Sequence, residues 1–442
     1  ISPFNILVLI FDKSSLMTFF TLAVTLKVAT SSLTMSVFIR NTFKKLDGRM
    51  VVIISLCYGL MHYNMAQLSN IEFLDGVYML PLILLGVSKL VRENKKGFLI
   101  VSVALSMIFS WYTGSINCLF SAVWLLYELF QGRRLGVIKS IIRYAYSMIL
   151  GIGISMFIVL PTVLAMQGGR AGIDWFVLDS FDISNGLSFV KGACLGVLGD
   201  KEQPGLFCGS IVFLGVIALI VSRYNSLKER LIDLGLLVMS YLMMYCPVVV
   251  FLFSLLKDVD SYWYRYGYTF LFIFIFLATK YYDKASFDNM DSIKDAFGTG
   301  EGKETLGRNI SRVRIELFTG LVIYTSVNAI SHFLYDDIDI TRVLIAIALS
   351  VLWVITYIIY VASAKEIIRK VCLLIIFVAV MAELIYSGYL FVGAGNSEYK
   401  DYANLFAIIL MFWISLKKNS GYVHSVTKKL ISILFFIKIT NK

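Results

Sequence analysis

Apolar residues in this chain run in long unbroken blocks, not at the alternating or three-to-four-residue spacing of half-buried strands and surface helices. A bilayer core about 30 Å thick takes roughly 20 apolar residues to cross as a helix. Blocks of that order fall at 16–39, 50–66, 77–91, 97–110, 116–130, 141–164, 206–222, 231–256, 263–282, 315–335, 341–362 and 367–392, and a weaker pair follows at 403–416 and 429–439. The pattern predicts an all-α polytopic membrane protein with about 12–14 transmembrane helices, since only helices and closed barrels satisfy the backbone in lipid. Residues 1–392 then form one multi-helix domain, and 393–442 a divergent C-terminal segment with one or two weak spans. The opening stretch 1–15 is too short to span and reads as an interfacial segment.

The polar punctuation between the blocks gives the helices a direction. The alternate connections 40–49, 89–96, 133–143, 223–230, 280–314, 365–370 and 417–429 hold 29 of the 40 Lys and Arg, and the intervening connections hold 7. By the positive-inside rule the first set is cytoplasmic and the second faces outward, with Ile1 on the outside. That start predicts a further span before Ile1. The connection 280–314 is charged and reads as a solvated segment without a core of its own.

Composition agrees with this reading and removes alternatives. The 442 residues are 58% hydrophobic and 16% charged, whereas soluble domains run about 45–50% apolar. The net charge of +11 lies in short inter-span clusters, not in a stripe interleaved with aromatics, so no nucleic-acid partner is expected. The three histidines and six cysteines have no metal-ligand spacing, and no metal or cofactor is expected. Cys194 and Cys208 flank the end of one long loop, 165–205, and are able to pair if it is extracytoplasmic. No GxxxxGK[ST] phosphate loop is present, which excludes ATP hydrolysis by that route.

Candidate chemistry concentrates in the outward connections. Segment 61–76, MHYNMAQLSNIEFLDG, carries Glu72, Asp75, His62 and Asn70 and no basic residue. Glu72 and Asp75 are three apart, on one face of a helix, which suits an acid/base pair or a cation site and equally suits a solvated helix N-terminus. Segment 257–267, KDVDSYWYRYG, sets Arg265 among Trp263, Tyr264 and Tyr266, with Lys257 nearby. An outward arginine there either binds a phosphate or carboxylate through its fork or anchors the helix by snorkelling. Within the spans, Lys27, Asn117, Glu128, Asn328 and Glu383 are functional candidates because burying polar groups in lipid is costly. Glu128 lies close enough to a cytoplasmic end to snorkel, and Glu383 needs a partner not evident from the sequence.

Four segments in this order, SPFN at 2–5, SNIEFLDG at 69–76 followed by LPLILLG at 80–86, WYTGSIN at 111–117 and YWYRYG at 262–267, give the chain a resemblance to the YfhO family of bacterial membrane proteins. The resemblance covers residues 1–400 or so. It implies a GT-C-like helix arrangement and a glycosyltransferase that takes a sugar from a polyprenyl-phosphate carrier at the outer face. The implied acceptor is a cell-envelope polymer such as teichoic or lipoteichoic acid. Arg265 would receive the leaving phosphate, with Tyr264, Trp263, His62, Asn70 and Lys257 as neighbouring substrate-binding residues. Such enzymes place their main acid in the first outward loop, which here would precede Ile1, so Glu72 and Asp75 are auxiliary catalytic candidates. Competing readings are a transporter or flippase of a lipid-linked envelope precursor, which calls for midplane charges and paired broken helices, and an inactive fragment or assembly scaffold.

Overall fold

A computed structural model of the chain describes residues 2–131, 136–166, 188–197, 204–222, 226–256, 264–296, 300–335, 338–363 and 365–395, and the side chains of these outside 166, 188, 190, 287–306 and 391–395. All regular structure in them is helical. After 3₁₀ turns at Pro3–Ile10 and Lys13–Ser15 come α1 (Leu16–Thr42), α2 (Gly48–Gly59), the short α3 (His62–Ala66), α4 (Phe73–Glu93), α5 (Gly97–Phe109), α6 (Trp111–Phe130) and α7 (Val137–Met166). The second half holds α8 (Ser188–Gly192), α9 (Ser210–Val221), α10 (Leu227–Tyr245), α11 (Pro247–Phe253), α12 (Gly267–Ala296), α13 (Gly300–Leu334), α14 (Ile340–Ala362) and α15 (Glu366–Gly395). The chain separates into compact units Ile1–Phe391 and Val392–Lys442. The weak spans expected at 403–416 and 429–439 lie outside the described residues.

The chain is an all-α polytopic membrane protein. Among the described residues seven helices are long and apolar enough to cross a bilayer, and eight if α10 and α11, bent by 82° at Cys246, form one broken span. The remaining predicted spans are helical but differ in form. α2, α5 and α9 have 12 or 13 residues, which at 1.5 Å per residue rise only about 18–20 Å. α12 begins as an apolar helix and runs on into charged sequence. The 280–314 stretch is thus mostly helix, continuing α12 to Ala296 and opening α13 at Gly300. Its Lys, Glu, Met and Ala residues sustain a helix beyond the apolar run.

Aromatic side chains and small residues set the packing of the first half. Phe38 of α1, Trp124 of α6 and Phe272 and Phe276 of α12 form one buried cluster, with Phe38–Phe272 at 5.0 Å and Trp124–Phe276 at 4.8 Å between ring centroids. Small residues let backbones approach where lipid offers no hydrophobic driving force between helices. At Gly76 an added Cβ would sit 2.3 Å from Thr113 Cβ, so α4 and α6 cross there at a separation only glycine permits.

Buried charges are matched across helices. Glu128, fully buried, accepts from Arg92 Nε at 2.9 Å and Arg92 Nη2 at 2.6 Å, and from Ser88 Oγ at 2.8 Å. It does not snorkel. Lys280 donates to both Asp233 carboxylate oxygens at 2.8 Å, joining α10 to α12. Asn328 turns back onto its own helix, donating to the Tyr324 carbonyl.

Candidate functional site

Three of the segments poor in Lys and Arg meet at the start of α4. Asp75, in the first turn of that helix, is 2% exposed, and its Oδ1 accepts from Lys27 Nζ at 2.8 Å, Ser2 Oγ at 2.9 Å and the Tyr78 hydroxyl at 2.9 Å. Lys27 also donates to the Ile71 carbonyl at 2.8 Å. A carboxylate that accepts a charged donor and two hydroxyls on one oxygen is firmly oriented. It is an architectural pin between α1, α4 and the N-terminal segment. Phe4 packs edge-on against Tyr78 beside it, ring centroids 5.8 Å apart.

Glu72 occupies a different environment. It precedes α4 as the N-cap residue, makes no capping hydrogen bond with its side chain and is exposed. It lies within electrostatic reach of the Lys27 ammonium. The three-residue spacing that suggested a carboxylate pair thus separates an exposed acid from a buried one, because α4 begins between them.

Arg265 stands on the other side of this corner. Its guanidinium lies 5.9 Å from the Phe73 ring centroid and 5.7 Å from that of Tyr112, within hydrogen-bonding reach of the Tyr112 hydroxyl. The Phe73 and Tyr112 rings are themselves 5.8 Å apart, so an aromatic step carries the arginine toward the residue that follows Glu72. Its backbone is fixed from α3, since the Tyr63 hydroxyl donates to the Arg265 carbonyl at 2.6 Å. Arg265 is half-buried, as befits a cation–π arrangement.

Behind these charges runs a sealed polar relay. Asn117 Nδ2 donates to the Gly76 carbonyl at 3.0 Å, and the Tyr268 hydroxyl donates to Asn117 Oδ1 at 2.8 Å. The Tyr268 ring packs on Tyr63 at 5.2 Å. The relay ties the first turn of α4 to α6 and α12, the helices that carry Tyr112 and follow Arg265.

The other predicted substrate-binding residues are dispersed. Tyr264 is half-buried in a left-handed backbone conformation (φ 57°), next to Arg265. Asn70 donates to Gln67 within its own turn at 3.2 Å. His62 is buried, its amide donating to the Phe207 carbonyl at 2.8 Å. A Cβ at Gly205 would come within 2.0 Å of the His62 ring, so the chain entering α9 covers this imidazole. Burial pushes its pKa down to about 4, which favours the neutral imidazole. Trp263 and Lys257 lie outside the described residues, as does most of the loop 165–205. Cys194 and Cys208 are separate buried thiols.

Sequence reasoning singled out Lys27 and Asn117 as costly polar residues inside spans. It missed Ser2, Tyr63, Tyr78, Tyr112 and Tyr268. Tyrosines abound at membrane interfaces, so nothing in their type marks them, and only the fold collects them.

Each segment of the SPFN, SNIEFLDG, WYTGSIN and YWYRYG series thus supplies a residue to one corner: Ser2, then Asp75 and Gly76, then Tyr112 and Asn117, then Arg265. The model of a bacterial membrane protein family, YfhO, matches residues 1–432, nearly the whole chain. The protein belongs to the YfhO family. No curated protein and no solved structure matches it at a significant level. Family membership makes it a bacterial membrane protein.

Proposed function

We propose that this YfhO-family protein is a membrane glycosyltransferase with a GT-C-like helix arrangement. It transfers a sugar from a polyprenyl-phosphate carrier to a cell-envelope polymer, of the teichoic or lipoteichoic acid type, at the outer face. The observation that supports the reading is the half-buried Arg265 set over the Phe73–Tyr112 aromatic step, with the exposed acid Glu72 immediately before Phe73 in a connection that holds no Lys or Arg. In such a transfer the acceptor hydroxyl attacks the anomeric carbon, the bond from that carbon to the phosphate oxygen breaks, and the lipid phosphate leaves with the electron pair. Arg265 suits the leaving phosphate, because a guanidinium fork matches its oxygens. Glu72 suits removal of the acceptor proton, because it is an exposed carboxylate next to Phe73, on which Arg265 rests. Asp75 and Lys27 act as positioning residues that fix the start of α4.

The test is transfer of labelled sugar from a polyprenyl-phosphate donor to envelope polymer, using the full-length protein in vesicles. Sugar transfer that falls at least about 100-fold in Arg265→Ala, as when one preorganised charge-stabilising donor is removed, supports the reading. Flux of lipid-linked precursor across the bilayer without any transfer, or unchanged polymer glycosylation in a deletion strain lacking paralogues, overturns it.

A further inference from the structure

Asp75, Glu128 and Asp233 are buried acids, and each has a cation: Lys27, Arg92 and Lys280. Glu383 does not follow that pattern. It lies within the span Glu366–Leu390 and is 0% exposed. Both of its donors come from one residue at the N-terminus of α9: Ser210 N–H at 3.0 Å and Ser210 Oγ at 2.9 Å, each onto Oε2. Ser210 Oγ in turn accepts from Trp353 Nε1 of α14 at 2.9 Å. Oε1 has no hydrogen-bond partner among the described residues.

Among the described residues, the titratable groups that face Glu383 are the thiol of Cys57 on α2, the thiol of Cys208 just before α9 and the hydroxyl of Tyr324 on α13. None is a base strong enough to serve as a counter-ion.

An ionised carboxylate spreads its charge over two oxygens and needs donors on both. Leaving one bare and buried, with no cation, costs several kcal/mol. A neutral carboxylic acid has one acceptor oxygen and one hydroxyl, which is the asymmetry seen here. We propose that Glu383 is a proton-binding site inside the membrane, with Oε2 as the carbonyl oxygen held by Ser210 and the proton carried on Oε1. The α9–α14–α15 junction then closes around a neutral group. Release of the proton would leave an unpaired charge in packed surroundings, so the junction must open, or admit a cation, for the site to ionise.

Infrared difference spectroscopy on the full chain in lipid nanodiscs at pH 7, wild type against Glu383→Gln, tests this. The expected result is a protonated-carboxyl C=O stretch that the variant lacks. Loss of a carboxylate stretch pair instead, with the protonated-carboxyl region unchanged, overturns the proposal. Should Glu383→Gln fail to accumulate, the wild type is read with dicyclohexylcarbodiimide. In that reaction the carboxyl proton moves to a carbodiimide nitrogen, the carboxyl oxygen bonds to the central carbon, and an oxygen-to-nitrogen acyl shift leaves a stable N-acylurea. An adduct on the Glu383 peptide but not on exposed Glu72 supports the assignment, and an unmodified Glu383 peptide overturns it.

Discussion

Replacing Lys27 by Met removes the cation from a pair whose side chains are 1% and 2% exposed, so solvent screening offers no relief. Breaking a buried pair from one side typically costs about 3–5 kcal/mol, because the other charge stays buried. Asp75 retains the Ser2 and Tyr78 hydroxyls, each a charge-assisted donor, which places Lys27→Met near the lower end, about 3 kcal/mol. Asp75→Asn is expected to cost more. It leaves the ammonium with the Ile71 carbonyl, an uncharged acceptor. The double variant Lys27→Met/Asp75→Asn buries no net charge and should regain about 2 kcal/mol or more relative to the sum of the singles. Equilibrium unfolding in mixed micelles, followed by tryptophan fluorescence, reads all three. If the singles lie within about 1 kcal/mol of wild type, or the effects add, the pair is not what pins α4 to α1 and the account of the corner fails.

Glu72→Gln should leave stability within about 0.5 kcal/mol, since the side chain is exposed and caps nothing, yet lower sugar transfer; a stability loss with unchanged transfer would reassign it to the fold. Arg265→Lys keeps the charge but loses the fork and the stack on Phe73 and Tyr112, so transfer should stay well below wild type, and full activity would argue against phosphate recognition by geometry. His62 has a folded-state pKa of about 4 against an ordinary value of 6.5. The unfolded chain therefore takes up this proton first, and stability should fall as pH drops from about 6.5 toward 4, by up to about 3 kcal/mol. His62→Gln should flatten that part of the pH profile. Gly205→Ala drives a Cβ into the His62 ring and should cost about 1–3 kcal/mol, measured as a lowered unfolding midpoint.

Much of the helical layout is legible in the hydropathy blocks, because a bilayer imposes a length and forbids unsatisfied backbone. Helix form is less so. The 82° break between α10 and α11 sits at Cys246–Pro247 inside one apolar block, and the block by itself cannot tell a straight span from a broken one. The continuation of α12 into charged sequence was hidden for the opposite reason, since charge reads as solvation whether or not the backbone stays helical. Polar residues inside blocks were legible as costly and hence meaningful. Their partners were not: Glu383 meets Ser210 across 173 positions, and no periodicity connects residues that far apart.

The two acids of SNIEFLDG show where a spacing argument stops. On a continuous helix Glu72 and Asp75 would share a face and a fate. The helix begins between them, so Asp75 turns inward to Lys27 while Glu72 remains outside as an uncapped N-cap residue. That division gives the corner two properties that the proposed sugar transfer calls for. The buried acid, held by a lysine from α1 and a serine from the N-terminal segment, fixes the backbone to which the exposed acid belongs. Arg265 is fixed through its carbonyl by Tyr63 of α3 and through its guanidinium by Phe73, which opens α4, and Tyr112 of α6. The base and the phosphate-binding group proposed here, Glu72 and Arg265, both rest on the start of α4, so their separation holds only while that turn is pinned. Loss of Lys27 should therefore depress sugar transfer even in the fraction of molecules that remains folded, whereas loss of Lys280, which pairs with Asp233 away from this corner, should reduce transfer only in proportion to the folded protein that survives.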